Sequence, residues 1–413
     1  MTTGYEVCRA QIKAQVMELL QNSEVLEDDM VYEQIEEIAQ RFAGYRLLKP
    51  QDKARMVKEV FNSIRKMDLL EDLLEQQDIT EIMLNSYDNI FVERNGKIER
   101  YDGQFESEER YMDIIQQIVS RCNRVVNGAN PIVDARLGDG SRVNVVLSPI
   151  SLQGTAMTIR HFQDRPLKME DLIRMGSITH ECAAFLRNLV IAKYNIFVSG
   201  GTGAGKTSFL NILSGYIPEE ERIITLEDSA ELKLQNTPNL VRLETRNSNG
   251  QECRAITMRD LIKTSLRMRP SRIIVGEVRG EECIDMLQAM NTGQEGSMST
   301  GHSNSGRDMI LRLETMCLMS QELPLAAIRR QLLSINIIVH LGRLRDHSRK
   351  VLEVWELVGM EQGEIQMKLL YMFQEEGEQN GKVLGKLQKM GELTHTGKLQ
   401  MAGFTISSQC DIS

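Results

Sequence analysis

Val198-Ser199-Gly200-Gly201-Thr202-Gly203-Ala204-Gly205-Lys206-Thr207-Ser208 decides the reading of this chain. Gly200, four residues, then Gly205-Lys206-Thr207 is a phosphate-loop pattern, set between an apolar strand at 195–199 and a helix at 205–215. Glycines let backbone N–H groups turn inward around β- and γ-phosphates, and the helix N-terminus adds unpaired N–H groups and favourable dipole charge. Gly200, Gly201, Thr202, Gly203, Ala204, Gly205, Lys206, Thr207 and Ser208 are therefore the expected nucleotide-binding residues. Lys206 would reach the terminal phosphates and the Thr207 hydroxyl would ligate Mg²⁺, which makes ATP and Mg²⁺ the expected cofactors.

Around this loop strands and helices alternate: helix 181–193, strand 222–226, strand 240–244, helix 257–268, strand 272–276, helix 280–291, strand 297–301 and helix 306–318. Such alternation predicts an α/β fold with a mainly parallel sheet between helices. Residues 335–372 add further strands, and the Gly-, Lys- and Glu-rich end reads as a small peripheral extension.

A phosphate loop alone gives binding; hydrolysis needs groups that hold metal and orient water. Arg272-Ile273-Ile274-Val275-Gly276-Glu277 sits where a Walker B strand should, with Gly276 in place of the usual Asp. An acid for the metal must then come from elsewhere, and Leu226-Glu227-Asp228-Ser229-Ala230-Glu231 offers three carboxylates at another strand end. Catalytic groups in open α/β sheets gather at that edge. Glu277, Glu227 and Glu231 are the candidate catalytic acids, and Thr207, Glu227 and Asp228 the candidate Mg²⁺ ligands; the choice between Glu227 and Glu231 stays open. His302 ends a third strand, where a histidine is ordinarily structural, but the shared sheet edge also suits a γ-phosphate sensor.

Upstream, residues 5–68 read as helices. Val31, Ile35, Ile38 and Phe42 form one apolar stripe, and Val57, Phe61 and Ile64 repeat it after Pro50. This predicts a helical module or docking appendage. Asn95-Gly96 between Ile90–Arg94 and Lys97–Arg100 is a strong hairpin signal. A helix near 108–122 opens on Ser107, and strands follow at Ile132–Leu137, Arg142–Leu147 and Thr155–Phe162. A polar stretch near 163–178 reads as a linker.

At 413 residues the chain suggests two or three domains, and 41% hydrophobic with 26% charged residues is a globular balance. No apolar run approaches the roughly 20 residues of a membrane span, and the first residues read as no signal peptide. A net charge of -9 makes nucleic-acid binding by the whole surface an unfavoured reading. Seven scattered cysteines without a C-x-x-C pair point to reduced thiols and no zinc site, in a cytoplasmic protein.

Four segments together resemble the secretion-superfamily ATPases of type II and type IV systems. They are the Walker A loop, the acidic segment Leu226–Glu231 (Asp box), Leu266–Gly280 (Walker B) and Gly296–Asn304 (His box). The Gly276-Glu277 form of Walker B is a mark of that family. The fuller pattern is similar to the CpaF-like branch, assembly ATPases of tight-adherence (Tad/Flp) pili. It includes Asp78–Asn85, Val133–Asn144, Thr158-Ile159-Arg160 and Ile338–Asp346. Two departures are His302-Ser303-Asn304, where the family usually reads His-Ala-Asn, and Gln294, where it often has a His.

The resemblance implies a RecA-like P-loop ATPase domain (179–360) behind a smaller PAS-like α/β domain (71–165) and a linker (166–178). A helical segment (1–70) precedes them and an extension (361–413) follows. It further implies a homo-hexamer at the cytoplasmic face of the membrane, acting on a polytopic inner-membrane platform protein. Without the resemblance Arg136, Arg142 and Arg160 read as surface arginines on strands. With it they match the family's arginine positions and are expected to close over the phosphates. Lys206, Glu277, Glu227, Glu231, His302, Arg136, Arg142 and Arg160 thus form the expected catalytic set. The other readings are a DNA-transfer ATPase of a conjugation or uptake system, a nucleotide-gated scaffold, and a P-loop small-molecule kinase.

Overall fold

A computed structural model describes residues 4–21, 27–76, 78–94, 96–122, 124–161, 167–234, 237–246, 254–320 and 323–404. Contacts divide the chain into two units, residues 1–164 and 165–413, each built around its own cores. Asn95 of the expected hairpin turn, part of the expected linker, Cys253 and Cys410 lie outside the described residues.

The first unit begins with α1 (Gly4–Gln21), α2 (Asp28–Ala39), α3 (Ala43–Arg46) and α4 (Pro50–Arg65). The apolar stripe of α2 buries Val31, Ile35 and Ile38 against Met56, Val57, Val60 and Phe61 of α4. Pro50 opens α4, where its missing N–H costs nothing. These helices therefore own a small core. The next helix, α5 (Leu69–Leu74), instead places Leu70 and Leu73 in the core of the following sheet.

That sheet runs through β1 (Ile79–Ser86), β2 (Asn89–Arg94), β3 (Lys97–Tyr101), then α6 (Glu108–Arg121), β4 (Ile132–Arg136), β5 (Arg142–Val146) and β6 (Ala156–Arg160). Ser107 caps α6, its hydroxyl accepting from Arg110 N at 3.2 Å. Among the described residues the sheet has six strands in the order β3-β2-β1-β6-β5-β4, and every pairing is antiparallel. Strand periodicity sends Val133, Val143, Val145, Met157 and Ile159 into the core beside α6. The alternate residues, Arg136, Arg142 and Arg160 among them, lie on the other face.

The second unit contains α7 (Met169–Arg174), α8 (His180–Ile191), β7 (Ile196–Gly200), α9 (Lys206–Ser214), β8 (Ile223–Glu227), β9 (Leu240–Glu244) and α10 (Met258–Ser265). It continues with β10 (Arg272–Val275), α11 (Glu282–Asn291), β11 (Met298–Gly301), α12 (Gly306–Ser320), α13 (Leu325–Leu332) and β12 (Ile337–Arg343). It ends with β13 (Arg349–Glu361), β14 (Glu364–Gln379), β15 (Lys382–Lys389) and α14 (Gly397–Met401). The nine described strands form one sheet in the order β15-β14-β13-β12-β7-β11-β10-β8-β9. From β12 to β9 all neighbours are parallel, and β13, β14 and β15 add an antiparallel meander.

Every residue of β7, β8, β10 and β11 is buried, as a parallel sheet covered on both faces requires. Alternation sorts them: Ile196, Val198, Ile274 and Val339 pack on one face with α8 and α9. Phe197, Ile224, Val275 and Ile338 pack on the other with α10, α11, α12 and α13. Two expectations need correction. The stretch 166–178 is no bare linker, because it carries α7, whose Met169 is buried in the core of this unit. The end beyond 361 is no peripheral extension either. Leu387, Leu393 and Leu399 are core residues there, and β14 and β15 continue the main sheet.

Candidate functional site

The carboxyl ends of β7, β11, β10 and β8 lie in register side by side and present the loops that carry the chemistry. Gly205 takes a left-handed φ of 91° as α9 begins, and no side chain caps that helix. The first-turn N–H groups of α9 are thus offered to an anion, the geometry a phosphate fits. Lys206 is only 8% exposed, and its Nζ donates to the Gly201 carbonyl at 3.0 Å, which folds the side chain back over the loop. The cradle and its inward ammonium fit a nucleotide polyphosphate.

A polar chain runs from that ammonium across the sheet edge. Lys206 Nζ is 3.2 Å from His302 Nδ1, and His302 Nε2 is 2.9 Å from Glu277 Oε1. An ammonium can only donate, so Nδ1 accepts and the neutral ring carries its proton on Nε2. The Nε2–Oε1 contact is close but not aligned as a hydrogen bond, and Glu277 Oε1 is buried without a hydrogen-bond donor. Burial, with the Lys206 charge second, holds His302 below the usual histidine range, while Glu277 pulls the other way. Glu277 Oε2 accepts from Arg279 Nη2 at 2.7 Å, and Arg279 Nη1 pairs with Asp228 Oδ2 at 3.2 Å. Arg279 also feels the charge of Glu231.

Glu227 sits differently from its neighbours. It is 3% exposed, and its Oε2 accepts from the backbone N–H of Glu231 at 2.6 Å and of Leu232 at 2.8 Å. Its carboxylate thereby fixes the turn that carries Asp228 and Glu231. Burial pushes its pKa up to about 7, against the backbone donors that favour the charged form. Gly276 lies beside it: a Cβ there would stand 3.2 Å from Glu227 Cγ, so the glycine gives this carboxyl its room. Thr300 Oγ1 donates to the Gly276 carbonyl at 2.7 Å and ties the Walker B turn to β11.

The His302 loop is held from below. His340, 4% exposed in β12, has Nδ1 3.0 Å from Ser199 Oγ of the phosphate-loop strand. Ser303 N donates to the Gly200 carbonyl at 3.4 Å. Glu353 Oε2 accepts from Gly306 N at 3.0 Å and from Trp355 Nε1 at 2.7 Å.

Of the residues expected from sequence, Lys206, His302, Glu277 and Asp228 join one chain of contacts, Glu231 adjoins it, and Glu227 supports it. Thr207 lies in the first turn of α9. Among the described residues no group of three or more His, Cys, Asp or Glu forms a metal cage. A Mg²⁺ bound mainly through phosphate oxygens and water needs none. Arg279 and His340 were missed. Arg279 stands two residues after Glu277 at the same strand end, a placement that could have singled it out. Nothing in the local sequence marks His340.

Arg136, Arg142 and Arg160 belong to the first unit, where the ladder puts them in one row: Arg136 opposite Arg142, and Arg142 opposite Arg160. Arg136 Nε donates to the Gly140 carbonyl at 3.2 Å. The row continues to Glu81, which stands opposite Arg160, so three cations and one carboxylate share it.

The sequence profile of the Type II/IV secretion system protein family matches residues 64–380. A putative conjugal transfer protein of Mycobacterium tuberculosis is 33% identical over 293 residues, covering 69% of this chain and 83% of that one. The type IV secretion system protein PtlH of Bordetella pertussis is 31% identical over 323 residues, covering 71% and 95%. Among solved structures, the ATPase DotB of Yersinia pseudotuberculosis is similar with a TM-score of 0.52 and 17% identity, over 70% of this chain and 78% of that one, a likeness of fold. No described helix is long and apolar enough to cross a membrane. With the profile spanning most of both units and these relatives covering more than two thirds of the chain, the protein belongs to the Type II/IV secretion system protein family.

Proposed function

We propose that the chain is an ATP-hydrolysing motor subunit that works as a homo-hexamer at the cytoplasmic face of the membrane. In this reading it drives Tad/Flp-type pilus assembly through a polytopic membrane partner. The observation that carries the enzymatic part is the run Lys206–His302–Glu277–Arg279 at the edge of the phosphate loop. The loop amides and Lys206 bind and orient the phosphates, with Thr207 as the Mg²⁺ ligand of the loop. A Mg²⁺ held there would supply charge neutralisation to the phosphates. Glu277 orients the attacking water and takes its proton. His302 reports the γ-phosphate position to Glu277, and Asp228 and Glu231, carried on the turn fixed by Glu227, would help hold the metal. Arg136, Arg142 and Arg160 make closure of the first unit depend on the γ-phosphate, so that its loss after hydrolysis releases the clamp.

The test is phosphate release by the purified chain, with and without lipid or membrane partner. No release under any of these conditions would leave a nucleotide-gated scaffold. A second reading, DNA transfer, is favoured by the conjugal-transfer name of the mycobacterial relative. Neighbouring genes for a small pilin and polytopic membrane proteins would support the pilus assignment, and conjugation genes there would support DNA transfer.

A further inference from the structure

The far side of the phosphate loop is also lined with cations. Arg343 ends β12, Arg349 begins β13, and the two stand directly opposite each other in the ladder. Arg349 Nε donates to the Gly203 carbonyl, inside the loop, at 2.8 Å. The Arg349 Cδ lies 3.5 Å from where a side chain on Gly205 would begin, and the Arg343 guanidinium approaches Gly203 at 4.0 Å on the same basis. Both arginines are exposed, and they belong to strands on the opposite side of β7 from His302 and Glu277.

Two like charges facing each other across a hairpin cost free energy. Here the hairpin between them is fastened to the strands that follow. Asp346 accepts from Ser348 N at 3.0 Å and from Val383 N of β15 at 3.0 Å. Arg345 forks onto Glu375 at 2.6 and 2.9 Å and reaches Glu378 at 2.8 Å. The turn is thus bolted to the meander, and its two outer arginines are delivered to the loop glycines. A carbonyl held from outside keeps the adjoining peptide planes turned so that their N–H groups face inward, where phosphates bind.

We infer that Arg349, assisted by Arg343, is a positioning residue that holds the phosphate loop in its nucleotide-accepting shape through the Gly203 carbonyl. This rests on the nucleotide-binding reading above. It differs from the roles of Lys206 and His302 because it serves ADP as much as ATP and acts on binding rather than on the chemical step.

The experiment measures ADP and ATP affinity by titration calorimetry, with Glu277→Gln as the background for ATP, together with steady-state turnover of the otherwise wild-type chain. Arg349→Ala should weaken ADP and ATP alike by about tenfold, the scale of one charge-assisted hydrogen bond. The loss should appear in KM, with kcat at saturation falling less than about threefold. Arg349→Lys, which keeps the charge without the planar fork, should fall between wild type and Arg349→Ala. Arg343→Ala should show the same pattern more weakly, and carries the test should Arg349→Ala fail to fold. Unchanged ADP affinity in a folded Arg349→Ala chain would overturn the inference, as would a fall in kcat at constant KM. Failure of the wild-type chain to bind ADP would instead sink the nucleotide reading itself.

Discussion

His302 Nε2 stands 2.9 Å from Glu277 Oε1 while the other ring nitrogen is 3.2 Å from Lys206 Nζ. One imidazole therefore lies between the ammonium of the phosphate loop and the carboxylate proposed to orient water. Glu277→Gln keeps the shape of the side chain and its contact with Arg279 but removes the base. Nucleotide affinity should stay within about threefold of wild type while phosphate release falls by about a hundredfold or more. Stopped-turnover binding and a phosphate assay measure the two separately; normal release would remove Glu277 from its role.

The same imidazole predicts a pH profile. Burial and Lys206 keep its folded pKa below the ordinary histidine value of 6.5, so the neutral tautomer persists as pH falls through that value. Turnover should stay level from pH 8 down to 6.5 and decline only below it, to the extent that His302 controls the acid limb. His302→Gln should flatten that limb while lowering the rate. An acid limb centred at or above 6.5 that vanishes in His302→Gln would show the pKa to be raised, and the tautomer argument would fall.

The row Arg136–Arg142–Arg160 makes a separate claim on the first unit. Replacing Arg136 or Arg142 by Ala should lower turnover by about tenfold, since each is asked to stabilise charge on phosphate. It should leave the unit of residues 165–413 folded, because neither arginine belongs to it. Unchanged turnover in both variants would eliminate the clamp.

Much of this was legible in the sequence, for physical reasons. The strands β7, β8, β10 and β11 are continuous apolar runs because both faces of the sheet are covered, and runs of that length between helical stretches admit one reading. Ser107 announced α6 because a hydroxyl there satisfies an N–H that would otherwise be orphaned. The meander was harder. In β14, Glu375, Glu376 and Glu378 are exposed on a long ribbon, so the end of the chain reads as polar extension although Leu387 of β15 lies in the core. In α7 only Met169 is deeply buried, too little to produce a stripe. At the site, sequence identified acids by type and strand end but could not separate Glu227 from Glu231. That distinction depends on which carboxylate folds back onto backbone N–H groups.

Glu227 supplies a test of that distinction through stability. Its folded pKa of about 7 exceeds the ordinary glutamate value of 4.5, so the folded state holds the extra proton between those limits. The stability tied to this proton is complete below 4.5 and is lost as pH rises through about 7. Glu227→Gln can accept the same two backbone bonds without a charge. Its stability relative to wild type should therefore rise between pH 5 and pH 8, by about 2 kcal/mol. Parallel melting curves across that range, with a constant offset between the two proteins, would show that the buried carboxyl does not titrate as described.

Gly276 is the residue that departs from the common Walker B acid, and its neighbour explains why a side chain is unwelcome. A Cβ at 276 would meet Glu227 Cγ at 3.2 Å and the Leu226 carbonyl at 3.5 Å. Glu227 has little freedom to retreat, because two backbone N–H groups hold its Oε2. Gly276→Ala should therefore cost about 1 to 3 kcal/mol by overpacking, more than a glycine-to-alanine change in a relaxed strand. The displaced Glu227 would loosen the turn bearing Asp228 and Glu231, so turnover should fall along with stability. Combining Gly276→Ala with Glu227→Ala opens the space again, and the double variant should recover part of the stability lost by the first substitution. Strictly additive losses in that cycle would mean that the two side chains do not compete for the same space.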